Sequence, residues 1–565
     1  MIDRLIRTFL GAPVLAILLC AVLAGWGWHS FQQNPKDAIP DIAENQTIVF
    51  TEWMGRSPKD VDEQVTYPLT VALQGVPGVR EIRATSGFGW SIVYVVFHDD
   101  IGFYWARSRV LERLNVAQGD LPEGVTPRLG PDATALGQIF WYTIENGWYS
   151  PRQPGLRFRE DGILTHSSRQ ALPQDDPLLQ ATLDRAQSHT CPLTGIDLVF
   201  SKVPLDELRS IQDFDIKLAL ESVEGVSEVA SVGGYVRQYQ IDVNPEALRA
   251  FNVPLGALVS AVKASNVDVG AKVIEQSGME VLVRGVGFLG GGDRSTGSRA
   301  RREQAAIADI ENIVVKATDG TPIYIRQLAD VTTGPDFRRG ALDKMGAETV
   351  GGCVVMRFGE NPLTVIERVK GKIAQIEAGL PPGVRINAFY DRSTLIRETM
   401  TTLGTALWQE LLITVIAIML FLLHFRSSLV IAVTLPLAVL FAFVCMQALE
   451  VGSNIMSLAG IAIAIGAMVD MGIVMTENIY QYLTRHRSEY TRVIEGPDGK
   501  QSIVVDGPKR TEFIRQAAVE VGGAILTAVS TTVISFLPVF FLEGQAAKLF
   551  RPLAWTKTFC RVRDS

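Results

Sequence analysis

The chain has 565 residues, of which 47% are hydrophobic and 20% are charged, and its formal net charge is −7. This apolar composition excludes a disordered or fibrous chain, and the acidic balance argues against a nucleic-acid-binding protein. The five cysteines are scattered without a CxxC pair, so neither a disulfide scaffold nor a ribbon-type zinc site is indicated. The composition is that of a large membrane protein with a substantial part in water.

Runs without charged residues mark the segments that are long enough to cross a membrane. A spanning helix needs about 20 apolar residues, and five stretches meet this requirement: 8–35, 403–424, 427–449, 451–476 and 521–542. Two of these spans contain a single acid each, namely Glu410 and Asp470. Region 36–398 has no such run, and we expect it to lie outside the bilayer.

The first span is predicted to be an uncleaved anchor rather than a signal peptide. Its apolar stretch is long, Trp26 and Trp28 stand where an interfacial belt is expected, and no small-x-small cleavage site follows. Basic residues precede span one, follow span two and crowd the link between spans four and five: Arg4, Arg7, Arg426, Arg485, Arg487, Arg492, Lys500, Lys509, Arg510 and Arg515. The positive-inside rule then predicts a cytoplasmic N-terminus and an extracytoplasmic region 36–398.

Region 36–398 contains an internal repeat. VPGVREI (76–82) matches VEGVSEV (223–229), and each is followed by a glycine turn and an alternating strand, SIVYVVF (91–97) or VRQYQIDV (236–243). LPEGV (121–125) matches LPPGV (380–384), and an amphipathic helix precedes each. The order strand, helix, hairpin, helix, strand therefore occurs twice, which predicts two ferredoxin-like βαβ units in an α+β region beside a membrane α-helical bundle.

The spacing of the repeat predicts the domain boundaries. The first unit is assigned to 36–130, and the second to 131–245 and 349–398, with a small domain inserted at 246–348. Segment 147–203 is predicted to be a long loop, and segment 290–302 a low-complexity and mobile insert. The remaining segments are 1–35 with the first span, 399–545 with spans two to five, and an aberrant C-terminal tail at 546–565.

The fourth span carries the candidate functional residues. An ionised carboxylate at mid-bilayer is costly, so Asp470 indicates a group that exchanges protons; the alternative is a structural Asp470 that hydrogen-bonds to neighbouring helices. Glu477 lies two turns further on, where an ordinary interfacial acid is expected. The same span contains the methionines Met456, Met468, Met471 and Met475. Such a stripe is more often packing than a metal path, although thioethers do select Cu(I).

Several long motifs resemble one family of transporters. They are PKDAIPD (35–41), QVTYPLT (64–70), YWARSRVL (104–111), LGPDAT (129–134), EVASVGG (228–234) and NIMSLAGIAIAIGAMVD (454–470). Together they resemble the CusA/CzcA-like heavy-metal efflux branch of the resistance–nodulation–division exporters. The resemblance covers nearly the whole chain except 147–203 and 290–302. It implies two porter subdomains, a docking subdomain inserted in the second, and proton-driven export across the bacterial inner membrane.

The resemblance also implies roles for residues and partners. Asp470 matches the family's proton-relay aspartate, with Glu477 as a weaker candidate, and Met456, Met468 and Met475 match positions of a methionine path for Cu(I) or Ag(I). MG at 471–472 departs from the copper subgroup's usual AA, which leaves a cobalt–zinc–cadmium exporter as the alternative. Protons are the expected coupling ion, with no permanently bound cofactor. The expected partners are two further copies in a homotrimer, a periplasmic adaptor (membrane fusion) protein and an outer-membrane channel, with no nucleic acid.

The family pattern has twelve spans in two similar halves, whereas five are predicted here. FRPLAWTKT (550–558) resembles the approach to a sixth span, but FCRVRDS (559–565) then brings charge where an apolar helix is expected. The sequence is therefore interpreted as a truncated or frameshifted first half, which by itself is not expected to confer metal resistance. A non-transporting, membrane-anchored fragment is the alternative. An enzyme is not indicated, because P-loop, GxSxG and HExxH motifs are absent.

Overall fold

The computed structural model describes most of the chain: residues 2–151, 156–158, 164–166, 189–190, 197–285, 287–290, 299–318, 320–338, 340–422, 425–495 and 501–562. Long helices lie at both ends of the described chain, and strands with shorter helices occupy its middle. Three short 3-10 turns occur at Gln118–Asp120, Ala135–Gly137 and Ile325–Gln327.

Within the described residues, five helices are long and apolar enough to cross a membrane. They are α2 (Pro13–Gln33), α12 (Arg392–Leu422), α13 (Phe425–Ala448), α14 (Ile455–Arg485) and α16 (Gly507–Phe540). At a rise of about 1.5 Å per residue, each covers the roughly 30 Å of a hydrocarbon core. The five spans predicted from charge-free runs are thereby confirmed, and α12 begins earlier than the predicted span because its polar first turns continue the same helix.

The first α+β unit is ferredoxin-like. It consists of β1 (Gln46–Glu52), α3 (Pro58–Val61), α4 (Tyr67–Gln74), β2 (Val79–Gly87), β3 (Trp90–Phe97), α5 (Phe103–Ala117) and β4 (Pro127–Leu129). The antiparallel sheet has the order β2-β3-β1-β4. A π-helical turn (Asp62–Thr66) joins α3 to α4. The core forms where the buried face of the sheet, including Val49, Val93 and Val95, packs on Leu69 and Val110 of the helices.

The second α+β unit repeats this topology. Its elements are β5 (Gln138–Glu145), α6 (Leu205–Ile211), α7 (Lys217–Glu221), β11 (Val226–Gly233), β19 (Ala347–Met356), α11 (Pro362–Glu377) and β20 (Arg385–Asp391). The sheet order is β11-β19-β5-β20, and a π-helical turn (Gln212–Ile216) again interrupts the first helix. Gly78 and Gly225, which the sequence repeat aligns, both have positive φ, +80° and +90°. Glycine recurs there because other residues are strained in that conformation.

One strand of the second unit differs from the prediction. Segment 236–243 was expected to follow β11 as its hairpin partner, but β12 (Arg237–Val243) pairs with β17 (Ala329–Pro335), and β19 takes the place beside β11. Seven consecutive residues of β19 are buried, which suits a central strand, whereas β12 is half-exposed throughout. The inserted unit therefore includes β12, which precedes the predicted boundary at 246.

The inserted unit has its own strands and helices, as its turn signals predict. Between β12 and β17 lie α8 (Pro245–Ala250), α9 (Leu255–Ser265), β13 (Val269–Gln276), β14 (Met279–Gly285), α10 (Arg299–Glu311), β15 (Val314–Thr318) and β16 (Thr321–Tyr324), and β18 (Leu342–Lys344) leads back to β19. Of the insert predicted at 290–302, residues 291–298 lie outside the described residues, and 299–302 begin α10 instead of continuing a mobile segment.

The insert at 147–203 contains strands rather than loop alone. They are β6 (Trp148–Tyr149), β7 (Leu156–Phe158), β8 (Leu164–His166), β9 (His189–Thr190) and β10 (Asp197–Phe200), in the sheet order β8-β7-β6-β10-β9. The sequence did not predict these strands, because the segment is polar and Pro-rich and strands this short show little apolar/polar alternation. The rest of the predicted loop, at 152–155, 159–163, 167–188 and 191–196, lies outside the described residues.

The remaining elements flank the membrane helices. They are the amphipathic α1 (Ile2–Gly11), α15 (Arg487–Tyr490), the hairpin of β21 (Thr491–Glu495) and β22 (Gln501–Val505), and α17 (Gly544–Val562). The described part of the predicted tail is thus helical. A Cβ on Gly460 of α14 would lie 2.7 Å from the Leu553 carbonyl oxygen of α17, so the absence of a side chain there lets the two helices touch.

Candidate ion-translocation site

The helix that carries the candidate residues is capped at its start and runs without a break. The Asn454 side chain accepts hydrogen bonds from the amides of Met456 and Ser457, both at 3.0 Å, and the Ser457 hydroxyl accepts one from the Asn454 amide at 2.9 Å. This reciprocal cap satisfies backbone donors that a helix N-terminus otherwise leaves unpaired. From there α14 continues for 31 residues, with Asp470 at its middle.

Asp470 lies on a face of α14 that the described chain leaves uncovered. Its neighbours at helical spacing, Ile463, Gly466, Val474 and Glu477, are all exposed as well. A Cβ on Gly466 would meet nothing within 4 Å. The Asp470 carboxylate makes no hydrogen bond or ion pair with another described residue. An ionised carboxylate inside a membrane needs a partner or water, and the described side chains supply no such partner on this face.

Glu477 shares that face but has a different environment. It lies two turns beyond Asp470, about 10 Å along the helix axis. Its carboxylate accepts a hydrogen bond from the Gln481 amide group at 3.0 Å. The structure therefore places the two acids on one stripe without bringing them into contact. Of the two, Asp470 is the acid without a local partner among the described side chains.

Three methionines of α14 line one cavity between the membrane helices. Met468, Met471 and Met475 face a space of about 170 Å³. The other lining residues come from α13, α14 and α16: Val430, Ile431, Thr434, Leu435, Ala438, Gly472, Thr476 and Ile525. The structure thus brings Met468 and Met475 together, whereas Met456, about three turns earlier, is not among the lining residues.

Met471 is the residue of this cavity that sequence reasoning missed as a candidate ligand. It is 9% exposed, and Met468 is 3% exposed. The spacing 468, 471, 475 was a usable signal, since residues i, i+3 and i+7 share one helix face. The cavity hydroxyls are engaged with the backbone: Thr434 donates to the Ile431 carbonyl at 3.0 Å and Thr476 to the Gly472 carbonyl at 2.8 Å. Hydroxyl oxygens are hard ligands, so the three thioether sulfurs are the soft ligands among the lining residues.

The chemistry of this cavity suits a soft monovalent cation. Thioethers are neutral, polarizable ligands of the kind that select Cu(I), whereas carboxylate and imidazole suit harder divalent ions. Within the part of the chain that the structure describes, no group of three His, Cys, Asp or Glu side chains is placed to hold a metal ion. Asp470 lies about 100 to 160° around the helix from the three methionines, at 100° per residue. One helix thus presents an acid on one side and thioethers on the other.

Comparison with known proteins places the chain among transporters. The model of the AcrB/AcrD/AcrF family matches residues 5–157 and 165–562. The chain is 38% identical over 561 residues to the cation efflux system protein SilA of Salmonella typhimurium, covering 99% of this chain and 46% of SilA. It is 37% identical over 561 residues to the cation efflux system protein CusA of Escherichia coli K12, with the same coverage.

A third relative and a solved structure extend the comparison. The cobalt-zinc-cadmium resistance protein CzcA of Cupriavidus metallidurans is 31% identical over 556 residues, covering 98% of this chain and 45% of CzcA. The crystal structure of a heavy metal efflux pump, crystal form I, superposes with a TM-score of 0.74 at 26% identity, over 100% of this chain and 47% of that one. The chain therefore spans about half the length of the relatives that it matches.

Proposed function

Because the chain belongs to the AcrB/AcrD/AcrF family, in its heavy-metal efflux branch, we propose that it supplies half of a proton-driven exporter of Cu(I) or Ag(I). The observation that carries the proposal is α14, which presents the uncovered Asp470 on one face and three thioethers on another. A proton that binds Asp470 removes the cost of a charge inside the membrane, so the helix can take a different position and the methionine cavity moves with it.

One proton contributes a usable fraction of the free energy of such a step. One proton that crosses the membrane potential releases about 2.3 kcal/mol per 100 mV. The transported cation is a soft one, because Met468, Met471 and Met475 offer sulfur rather than carboxylate or imidazole. Met456 lies at the start of α14 and extends the thioether path toward the capped N-terminus of this helix. Glu477 is proposed to relay protons between Asp470 and the cytoplasm.

The proposed setting is the bacterial inner membrane with a cytoplasmic N-terminus. The basic residues of the link between α14 and α16 support this orientation. The proposed assembly is a homotrimer that works with a periplasmic adaptor and an outer-membrane channel. The hairpin β13–β14 supports an assembly, because two isolated strands are marginally stable alone. Apolar side chains of this hairpin, such as Ile274 (56%) and Leu282 (68%), are exposed and available for a neighbouring copy.

The first prediction tests the role of Asp470 in transport. The chain is joined to the remaining part of SilA in a hybrid protein, and pH-driven Ag(I) uptake is measured in everted membrane vesicles. Asp470→Asn keeps the size of the side chain but cannot release a proton. We expect this variant to reach the membrane at the level of the unsubstituted hybrid and to lose pH-driven uptake completely.

Glu477→Gln is the matched control, since it makes the same chemical change on the same helix face. We expect only a minor loss of uptake, because an acid at the end of the span can be replaced by water as a proton carrier. Normal pH-driven uptake by Asp470→Asn would show that this acid is structural. An equal loss in both variants would contradict the distinction between the two acids.

A further inference from the structure

The segment that follows the first membrane helix makes contacts with several distant parts of the chain. We call this segment, residues 35–43, the linker. It has the sequence PKDAIPDIA, and it lies between α2 and β1 without regular secondary structure of its own. The backbone N–H and C=O groups of an irregular segment need hydrogen-bond partners in the protein where the segment is buried. Its hydrogen bonds show where it is attached.

The first attachment is to the start of α14. The Ser453 amide donates to the Pro35 carbonyl at 2.8 Å, the Asp37 amide donates to the Ser453 carbonyl at 3.0 Å, and the Ile455 amide donates to the Ala38 carbonyl at 3.2 Å. These backbone bonds form a short parallel bridge between Lys36 and Ser453. The linker thereby holds the capped first turn of α14, the helix that carries Asp470.

The second attachment is to the start of α12 and the entry to the second sheet. Arg392, which is 5% exposed, donates to both carboxylate oxygens of Asp37, at 2.9 and 2.8 Å. The same guanidinium donates to the Leu136 carbonyl at 2.5 Å, just before β5 begins. Nη2 of Arg392 donates both bonds to Asp37 and Nη1 donates the bond to Leu136, so one planar guanidinium joins the two residues. Because Arg392 is buried and Asp37 is half-buried, loss of Asp37 leaves the Arg392 charge without its carboxylate partner.

A third attachment continues along the same segment. Asp41 accepts a hydrogen bond from the Thr134 hydroxyl at 2.8 Å, and Lys548 of α17 donates to the Ala43 carbonyl at 2.6 Å. Lys548 also pairs with Asp99 of the first unit at 3.0 Å. Within nine residues the linker therefore binds α14, α12, α17 and the polypeptide that leads into β5.

From these contacts we infer that the linker is a mechanical coupling element that makes the start of α14 and the leading end of β5 move together. A displacement of α14 is passed through the Ser453 backbone bonds to Asp37, from Asp37 to Arg392, and from Arg392 to Leu136. Coupling between distant sites requires such a continuous physical network. The inference takes from the proposed function only that α14 moves during transport, and the link itself is tested without transport.

The experiment disturbs one end of the network and measures the other. Ser457→Ala removes the hydroxyl that completes the cap of α14; Ser457 is fully buried and does not touch β5. Amide hydrogen exchange is followed by mass spectrometry on the purified chain in lipid nanodiscs. We expect exchange of residues 136–140 to be at least about threefold faster than in the unsubstituted chain, because local opening propagates along bonded segments. Thr484→Ala, at the opposite end of α14, is the matched control and leaves 136–140 unchanged.

Asp37→Asn then breaks the network at its middle. It keeps the side-chain volume but replaces one of the two oxygens that accept from Arg392 with a donor. In the Asp37→Asn background, addition of Ser457→Ala produces no further change at 136–140. If Asp37→Asn does not fold, Arg392→Lys serves the same purpose, because lysine keeps the positive charge but lacks the second nitrogen that joins Asp37 to Leu136.

Two outcomes overturn the inference. One is an unchanged exchange rate at 136–140 in Ser457→Ala. The other is an increase in the exchange rate at 136–140 that is equally large in the Asp37→Asn background. The effect of Ser457→Ala would then reach 136–140 by a route other than the linker. Neither outcome bears on whether Asp470 and the methionines serve transport, which the vesicle assay measures separately.

Discussion

Each methionine of the cavity can be replaced singly to measure its share in silver binding. Leucine preserves the volume of methionine and removes the sulfur, so Met468→Leu, Met471→Leu and Met475→Leu each leave two thioethers of three. We expect each change to weaken Ag(I) binding by about tenfold, or about 1.4 kcal/mol. Calorimetric titration of the purified chain with Ag(I) provides the measurement.

Met446→Leu is the control for these variants. Met446 is fully buried in the same helical bundle but is not among the residues that line the cavity. Its replacement is expected to leave Ag(I) affinity unchanged. If Met471→Leu binds as tightly as the Met446→Leu control, Met471 is a packing residue and the site has at most two thioethers.

A second residue-scale prediction concerns pH and Glu145 of the second sheet. Burial raises the pKa of the Glu145 carboxyl, but hydrogen bonds from Lys344, Thr143 and Asn387 outweigh it, so that the pKa lies below the ordinary 4.5. The folded state therefore gains stability from this group above pH 4.5 and loses it as the pH falls through 4.5 toward the lowered folded pKa. We expect Tm, followed by circular dichroism, to fall less between pH 6 and pH 3.5 in Glu145→Gln than in the unsubstituted chain. An identical fall in both proteins would contradict the prediction.

At the scale of elements, the contact between α2 and α13 depends on one glycine. A Cβ on Gly27 would lie 2.6 Å from both Cβ and the carbonyl oxygen of Leu440, whereas a Cβ on Gly25 would meet nothing within 4 Å. Gly27→Ala therefore forces the helices apart, at a cost of about 1–3 kcal/mol for overpacking. In detergent, Gly27→Ala is expected to have a lower Tm than the unsubstituted chain. Gly25→Ala is the control, because it replaces a glycine of the same helix and is expected not to lower the Tm.

Strand pairing shows how far element-level prediction extends. The repeat, its two helices and its glycine turns follow from the sequence, because a glycine with positive φ and an amphipathic period are local requirements. Which strand pairs with β11 is not set by a local requirement. The segments that form β12 and β19 both have the composition of a strand, and β12 is much nearer to β11 in the sequence. The central position goes to β19 because it buries a continuous apolar surface between β11 and β5.

At the scale of the whole molecule, the orientation in the membrane can be tested with two single cysteines. Met345, at the turn between β18 and β19, is 93% exposed, and Val505, at the end of β22, is 45% exposed. In spheroplasts treated with a membrane-impermeant maleimide, Met345→Cys is expected to gain label at once. Val505→Cys is expected to gain label only after the membrane is opened, because the positive-inside rule places its hairpin in the cytoplasm. The unsubstituted chain sets the background from its own thiols, and the reverse pattern would invert the proposed topology.

The five membrane spans, the duplicated ferredoxin-like unit, the family and the candidates Asp470, Met468 and Met475 were all predictable from the amino-acid sequence. These features depend on short-range rules, since a charge-free run or a helical period is a property of neighbouring residues. Three features were visible only in the folded chain: β19 pairs with β11, Met471 lines the cavity, and residues 35–43 connect α14 through Arg392 to the residues that precede β5. Each of these joins segments far apart in the chain, and which segments meet is set by the total surface they bury and the polar groups they satisfy together.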